Sequence, residues 1–321
     1  MKKSVGIIGA NGYTGSELVR ILAFHPNVEL KFLYSRSNAG TKISEIYPDL
    51  ISVCDIVLTN EIEDVDILFL CLPHQESKNW LTENPVGENV LVIDLGNDFR
   101  LESVFGQRNF VYGLPEIFKK EIKSGKSIAN PGCFATAIQL ALLPLAKENL
   151  LTDVYTTGIT GSTGAGQSLQ QTTHFSWRND NISAYKTLTH QHVDEVLKNL
   201  DVINGKKTEL HFVPWRGDFV RGIFTSSILK CDLELEKIHG IFKDFYKNAP
   251  FVTISENPID LKQIINTNRC VIHIERNKKT IVVHSALDNL LKGASGQAVQ
   301  NMNIAMNWTE NAGLNLKSIA F

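Results

Sequence analysis

The sequence predicts an α/β chain in two parts, a parallel-sheet half followed by an α+β half with a mostly antiparallel sheet. Three observations predict it. An apolar run, Val5 to Ile8, feeds a glycine-rich turn and then a helical run. Near-continuous apolar strands then alternate with helical patterns, as in a parallel sheet covered on both faces. From Glu209 onward the runs alternate apolar with polar residues, as antiparallel strands with one solvated face do.

The first unit is explicit in the residues. Gly9, Gly12 and Gly15 punctuate Gly9-Ala10-Asn11-Gly12-Tyr13-Thr14-Gly15, between the first strand and a helix carrying Leu18, Ile21 and Leu22. Pro26 follows that helix, and a strand, Val28 to Tyr34, begins. Glycines at a strand–helix turn let the backbone approach a pyrophosphate resting on the helix N-terminus, so a Rossmann-type dinucleotide-binding domain is expected. The plain alternative is an ordinary tight turn. At the end of the second strand, an NAD site places an acidic residue for the ribose hydroxyls. This chain has Ser35-Arg36-Ser37 there, whose hydroxyls and guanidinium suit a 2′-phosphate, so NADP is favoured over NAD. Asp66 to Leu72 and Val90 to Leu95 read as further strands, with a short helix over Glu76 to Leu81 between them. Arg100, in the turn after Leu95, could hold a phosphate or pair with Asp98 or Glu102.

The junction of the two parts carries the chemistry. Ser127-Ile128-Ala129 runs into Asn130-Pro131-Gly132, which cannot extend a regular element, and Phe134, Ile138, Ala141 and Leu142 then recur at helical spacing. Cys133 is therefore expected where a tight turn opens a helix. The unpaired amides and dipole of a helix start favour a thiolate, the nucleophilic form of cysteine. The alternative is a small buried cysteine. Cys71 and Cys270 lie in strand-like runs, and with Cys54 and Cys231 they are read as structural.

In the second part, Val154 to Thr160 leads to Gly161-Ser162-Thr163-Gly164-Ala165-Gly166-Gln167, either an anion cradle or a flexible connection. His190 and His192 would lie on opposite faces of an extended segment. They lack the companion ligands of a metal site, and one of them is expected as acid/base partner of Cys133. Spacing does not decide which, and a plain polar loop histidine is expected of the other. Strands are read at Glu209 to Val213, Arg221 to Leu229, Arg269 to Glu275 and Thr280 to Leu287, with one helix over Leu235 to Tyr246. Such a sheet, with one polar face, also suits dimerisation. A last helix, Gly296 to Met306, carries Ala298, Met302 and Ala305 as a core stripe.

Composition bounds the rest. The chain has 321 residues, 43% hydrophobic and 21% charged, with a formal charge of -2, which leaves no strong field for nucleic acid or membrane. No apolar run reaches bilayer length. The start, Met1 to Gly9, is not expected to be a secretory leader, because its apolar run is short and a glycine turn breaks it. Five cysteines without paired spacing suit a reducing compartment, the cytoplasm.

Several stretches together resemble one family, the N-acyl-γ-glutamyl-phosphate reductases of arginine biosynthesis. They are Gly9 to Leu18, Leu72-Pro73-His74, Asp98-Phe99-Arg100-Leu101, Tyr112-Gly113-Leu114-Pro115-Glu116, Ala129-Asn130-Pro131-Gly132-Cys133, His190-Gln191-His192 and Lys292 to Ala298. The resemblance implies an NADP-binding domain of residues 1–131 with 293–321, and a catalytic and dimerisation domain of residues 132–292. It implies NADPH as reductant, Gly9, Asn11, Gly12, Tyr13, Thr14, Gly15, Ser35, Arg36 and Ser37 at the cofactor, and Asn289 and Gly293 near the nicotinamide. Cys133 falls on the family's nucleophile and His192 on its acid/base histidine. His190, Arg100 and Arg221 fall near the substrate. No metal is implied, and a homodimer or homotetramer is expected. The implied reaction converts an N-acyl-γ-glutamyl phosphate, acetyl by default, to the semialdehyde and phosphate through a cysteine thioester. Two stretches depart from the family pattern, Thr163 to Gln167 and Phe212 to Val220, and both bear on the acyl group. Aspartate-semialdehyde dehydrogenase and an aminoadipyl-phosphate reductase of lysine biosynthesis are the enzyme alternatives. A non-catalytic NADP-binding sensor is the alternative of another class.

Overall fold

The computed structural model describes residues 1–319 and divides into two compact units, Met1–Pro131 with Ala294–Asn315, and Gly132–Gly293 with the stretch from Leu316. The expected first domain runs on to Ala320 and Phe321, which lie outside the described residues.

In the first unit the chain forms β1 (Lys3–Ile8), α1 (Tyr13–Leu22), β2 (Val28–Tyr34), a single turn α2 (Ile43–Ile46), β3 (Ile67–Leu70), α3 (Ser77–Glu83) and β4 (Leu91–Asp94). A small antiparallel pair, β5 (Val104–Phe105) and β6 (Arg108–Asn109), precedes β7 (Val111–Tyr112), α4 (Pro115–Ser124) and β8 (Ser127–Ala129). Six strands make one sheet in the order β2-β1-β3-β4-β8-β7, and every pair is parallel. β3 and β4 are buried at each position, which explains their unbroken apolar sequence. The segment at Tyr112 to Glu116, which no sequence pattern explains, is a helix entry. Pro115 takes the first position of α4, where its missing N–H costs nothing.

β4 ends on a buried acid. Asp94 is fully buried, and its Oδ1 accepts from Ser77 Oγ at 2.6 Å and from the Gly96 amide at 3.1 Å. Its Oδ2 has no hydrogen-bond partner. Burial therefore pushes its pKa from 3.8 up to about 6, against the pull of those two bonds.

The second unit opens with α5 (Cys133–Lys147), buried all round from Phe134 to Ala146. Then follow β9 (Asp153–Thr160), a single turn α6 (Phe175–Arg178), β10 (Ser183–Ala184), α7 (His192–Asn204), β11 (Glu209–Arg216), β12 (Ile223–Lys230), α8 (Leu235–Tyr246), β13 (Val252–Ser255), β14 (Cys270–Asn277) and β15 (Thr280–Leu287). The seven strands run β10-β11-β9-β12-β15-β14-β13. The sheet is mixed, since β9–β11 and β13–β14 pair in parallel and the other pairs are antiparallel. Alternation buries one face of the sheet. The other exposes Tyr155 and Ile228, which face each other across β9 and β12.

Pro144 sits inside α5, where it cannot donate to the carbonyl of Leu140. The Tyr246 hydroxyl of α8 donates to that carbonyl at 2.5 Å, so the buried oxygen is not orphaned. α7 is buried along a partly polar face, on Glu195, Asn199 and Asn204 as well as Val196 and Leu200. Asn199 Nδ2 donates to Gln139 Oε1 of α5 at 2.8 Å, and Asn204 Nδ2 to the Leu151 carbonyl at 2.9 Å.

α9 (Ser295–Ala305) returns to the first unit. Ala298 and Met302 are buried as the expected stripe requires, but the helix is buried on its other sides too, at Gln297, Gln300, Asn301 and Asn303. Asn301 Nδ2 donates to Gly113 O at 2.9 Å and to Asn130 Oδ1 at 3.1 Å, while Asn303 Nδ2 donates to Ala312 O at 2.9 Å. A Cβ at position 113 would lie 2.4 Å from Asn301 Nδ2, so Gly113 admits that bond. Among the described residues no helix is long and apolar enough to cross a membrane.

Two outcomes are expected from these buried groups. Tyr246→Phe leaves the Leu140 carbonyl unsatisfied and lowers unfolding free energy by about 1–3 kcal/mol in urea titrations; an unchanged midpoint would refute the role given to the hydroxyl. For Asp94 the raised value means that the folded state binds the extra proton. Its stabilising contribution is full below pH 3.8 and is lost as pH rises through about 6, a change on the order of 3 kcal/mol. Urea melts between pH 4 and 7 are expected to show that slope in the parent and a flatter one in Asp94→Asn; equal slopes would remove the assignment.

Candidate active site

In the first unit, the glycine turn is set by close approach. Gly9 has φ +77°, and a Cβ there would lie 2.4 Å from the Cys71 carbonyl. A Cβ on Gly15 would lie 2.5 Å from Gly9 O, whereas one on Gly12 would meet nothing nearer than 3.5 Å. Gly9 and Gly15 are thus required by the fold, and Gly12 keeps the mouth of α1 open. Gly12 is the N-cap of α1 and offers no side-chain bond, so the amides of the first turn, from Tyr13 on, are left for another acceptor. Thr14 is held from behind, its carbonyl accepting from Ser295 Oγ at 2.8 Å.

The loop after β2 is tied to this turn. Asn11 Nδ2 donates to Asn38 Oδ1 at 3.1 Å, Ser37 Oγ donates to the same oxygen at 2.8 Å, and Ser35 Oγ accepts from the Asn38 amide at 3.2 Å. Tyr47 Oη donates to Asn11 O at 2.9 Å. Arg36 is exposed at the tip. A cradle that a side chain would fill, beside a loop with a guanidinium and no carboxylate, fits a dinucleotide bearing an extra phosphate. Asn38 and Tyr47 are part of this frame, and no motif announces them.

Arg100 is 5% exposed and donates from Nε to Asn130 O at 2.9 Å and from Nη2 to Leu95 O at 3.0 Å. Of the partners expected for it, Asp98 accepts from the amides of Gln75 and Lys78, and Glu102 pairs with Lys78 at 2.8 Å. Asn130 itself is fully engaged. Its amide donates to Asp94 O at 2.8 Å and its Nδ2 to Ala294 O at 3.0 Å, while its two oxygens accept from Asn301 and Arg100.

In the second unit, Cys133 is the first residue of α5, with Gly132 as N-cap, and is half-buried; Cys54, Cys231 and Cys270 are buried. Burial pushes the Cys71 thiol up to about 12. The Gly132 amide donates to Glu195 Oε1 at 2.8 Å. Glu195 lies one turn beyond His192 on α7, a spacing legible in the sequence but not singled out there. His190 and His192 are 7% and 6% exposed, so neither is a solvated loop histidine. The helical backbone of Gln191 brings them together, rather than to opposite faces, with ring centroids 4.7 Å apart. His190 Nδ1 accepts the His192 amide at 3.2 Å, so a neutral His190 carries its proton on Nε2.

Aromatic rings close this pocket. Phe134, next to Cys133, meets His190 edge-on at 5.9 Å; Tyr185 and Phe212 do so at 5.7 and 5.5 Å. Burial, and then the neighbouring Cys133, push the Tyr185 hydroxyl up, so it keeps its proton. Gly293 lies against the cysteine from the other side. A Cβ there would be 2.6 Å from Asn289 O and 2.8 Å from Cys133 Cβ. Asn289 Oδ1 accepts from the Gly222 amide at 2.7 Å, and its Nδ2 donates to Thr163 Oγ1 at 3.0 Å. Arg221 is clamped on buried Asp288, at 3.1 Å from Nε and 3.2 Å from Nη2.

The Gly161–Gln167 loop is neither a cradle nor slack. The amides of Gly161, Ser162 and Thr163 donate to Gly222, Phe219 and Val220, and those of Gly164 and Gly166 close turns within the loop. The two stretches that depart from the family pattern therefore pack on each other. Elsewhere, Asp153, Glu209 and His211 bring ligating atoms within 4.8 Å of one another on exposed strand ends, where His211 pairs with Asp153.

Family models match both units. Residues 4–125 match the semialdehyde dehydrogenase NAD binding domain and residues 133–289 the semialdehyde dehydrogenase dimerisation domain. The chain is 50% identical to the N-acetyl-gamma-glutamyl-phosphate reductase of Flavobacterium johnsoniae, over 99% of each chain. It is 48% identical to the protein of that name from Phocaeicola vulgatus, over 98% of this chain and 99% of the other. Among solved structures, aspartate semialdehyde dehydrogenase II of Vibrio cholerae superposes with a TM-score of 0.75 at 15% identity, over 96% of this chain and 99% of that one. The enzyme of Candida albicans, solved with NADP, gives 0.68 at 15% identity, over 97% and 100%. These two structures are similar in fold.

Gly293→Ala tests the packing around the sulfur. The added methyl is expected to cost about 1–3 kcal/mol in denaturant melts and to slow alkylation of Cys133 by iodoacetamide, because it crowds the cysteine's own Cβ. A variant that keeps both parent values would show that this approach is not tight.

Proposed function

The chain belongs to the N-acetyl-gamma-glutamyl-phosphate reductase family of semialdehyde dehydrogenases, and we propose from that membership how its residues divide the work. It is an oxidoreductase of arginine biosynthesis that converts N-acetyl-γ-glutamyl phosphate to N-acetylglutamate 5-semialdehyde and phosphate. The observation that carries the residue assignment is a half-buried cysteine opening α5, in one pocket with a buried pair of histidines.

Cys133 is the nucleophile. Its thiolate attacks the γ-carbonyl, the C–O bond to phosphate breaks, and a thioester remains on the sulfur. NADPH, when bound, supplies the hydride that reduces this thioester. The resulting thiohemiacetal collapses, the C–S bond breaks, and the semialdehyde leaves. His192 takes the proton of the thiol before attack and manages that of the thiohemiacetal oxygen. His190 orients it through the bond from the His192 amide. The amides at the start of α5 face no side-chain cap and can hold the developing oxyanion, worth on the order of 3 kcal/mol. Asn289 and Gly293 form the nicotinamide side of the site, and their packing near Cys133 supports that. Arg221 and Arg100 serve the substrate by holding the Asp288–Asn289 segment and the Asn130 turn, which the bonds they make support.

NADP, rather than NAD, is the cofactor. Gly9, Asn11, Gly12, Tyr13, Thr14 and Gly15 form the pyrophosphate turn, and Ser35, Arg36 and Ser37 take the 2′-phosphate. The assembly is a homodimer through the outer face of the seven-stranded sheet. Exposed Tyr155, Trp215 and Ile228 on β9, β11 and β12 support that face. The compartment is the cytoplasm, which suits five cysteines that form no disulfide.

Phosphate-dependent reduction of NADP by N-acetylglutamate 5-semialdehyde tests the reading. Cys133→Ser is expected to lower kcat by about a thousandfold or more. Undiminished turnover in that variant would end the assignment of the nucleophile.

A further inference from the structure

We infer that Arg216 binds an anionic oxygen group of the substrate, a carboxylate or a phosphoryl group, beside Cys133. The inference deepens the reaction proposed above and takes its substrate class from it.

Arg216 ends β11, and its guanidinium carbon stands 4.8 Å above the ring of Tyr185. Tyr185 lines the pocket of Cys133 and packs on His190. The cation is therefore a neighbour of the reacting sulfur, one aromatic ring away. One of its N–H groups bonds the Tyr185 side chain, and the rest of the guanidinium edge, Nε included, is left for another acceptor.

That edge is not committed to a protein acid. Arg216 is half-buried and has no carboxylate partner among the described residues, and its buried Nε has no hydrogen-bond acceptor. The other guanidiniums of this unit's site are spoken for. Arg221 is clamped on Asp288. Arg178, 6% exposed, donates to Thr172 O, Asn181 O, Arg216 O and Ser183 Oγ. Asp218, the nearest acidic residue in sequence, accepts from the Asp180 amide at 2.7 Å. Arg178 and Arg216 are close enough for each charge to oppose the other, and the one carboxylate that acts on Arg178, Asp218, does so more weakly than Arg216 does. A half-buried cation whose neighbour has the same sign is stabilised by an incoming anion.

The position is also held ready. Arg216 pairs with Ser183 of β10 and with Thr160 of β9, and its carbonyl accepts from Arg178 at 2.8 Å. The next amide, Gly217, donates to Thr160 O at 2.9 Å. A guanidinium on so fixed a strand end loses little freedom on binding, and its planar fork matches the paired oxygens of a carboxylate or phosphate. The proposed substrate carries both groups.

The experiment runs the reaction from the semialdehyde and phosphate, and measures the two KM values separately for the parent, Arg216→Gln and Arg216→Lys. Arg216→Gln is expected to raise one of them by about tenfold or more, with kcat within about threefold and the KM for NADP unchanged; Arg216→Lys should recover part of the loss. A raised semialdehyde KM names the carboxylate as the anion, and a raised phosphate KM names the phosphoryl group. If both KM values of a folded Arg216→Gln stay within about twofold of the parent, the inference is overturned. Should Arg216→Gln fail to fold, Arg216→Lys decides alone, since loss of the fork must still raise one KM. If the parent does not turn over this substrate, the reaction assigned above is at fault. Arg216 is then read by protection of Cys133 from iodoacetamide by phosphate or N-acetylglutamate. Protection that Arg216→Gln abolishes supports the inference, and protection that is absent in the parent or survives in the variant overturns it.

Discussion

The second unit depends on one buried hydrogen bond, from the Gly132 amide to the Glu195 carboxylate. Glu195 is 3% exposed, and a carboxylate so deep must be paired or lose its charge. Its partner is the amide one residue before Cys133. A bond of this kind contributes about 1.5–3 kcal/mol, and leaving either group alone would cost at least as much. Its greater consequence is register. His192 lies one turn before Glu195 on α7 and Asn199 one turn after, and Asn199 bonds Gln139 on α5. The helix that begins at His192 is thus indexed, residue by residue, to the helix that begins at Cys133. Apolar packing alone would permit small slides between two helices; directional polar bonds do not.

The same economy recurs where the chain buries what water would otherwise solvate. Tyr246 supplies the donor that Pro144 removes from α5, which lets a proline sit within a fully buried helix. Asn130 spends its amide, its carbonyl and both ends of its side chain on the first unit, three residues before Cys133. Asp94 is an exception. One of its oxygens is unpartnered, and its raised pKa records the cost.

Much of the fold was legible because its signals are local. The run Val28 to Tyr34, the strand Ser127 to Ala129 and the helix Leu235 to Tyr246 fall at the residues that periodicity selects. Gly9 and Gly15 announced a tight strand–helix turn because no residue with a Cβ fits there. α7 was not legible as a helix, and α9 was legible over Gly296 to Met306 only through its Ala298 and Met302 stripe. α7 buries Glu195, Asn199 and Asn204, and α9 buries Gln297, Gln300, Asn301 and Asn303, so much of their inward faces is polar. A buried polar residue is tolerated when a partner waits for it, and that partner lies on another element. The mixed pairing of the second sheet was hidden for a related reason, because alternation shows which face is buried and not the direction of the neighbouring strand.

By itself the sequence determined most of the elements, the glycine turn and the position of Cys133 at the start of a helix. These follow from backbone sterics and periodicity, which act over a few residues. Only the tertiary structure decided that His190 packs with Phe134 and Phe212, that Glu195 holds the Gly132 turn, that Arg221 is occupied by Asp288 and that Arg216 stands over Tyr185 with no carboxylate paired to it. Each of these joins residues distant along the chain, and their free energies arise from desolvation and direct contact, which exist only once the surrounding chain has closed around them.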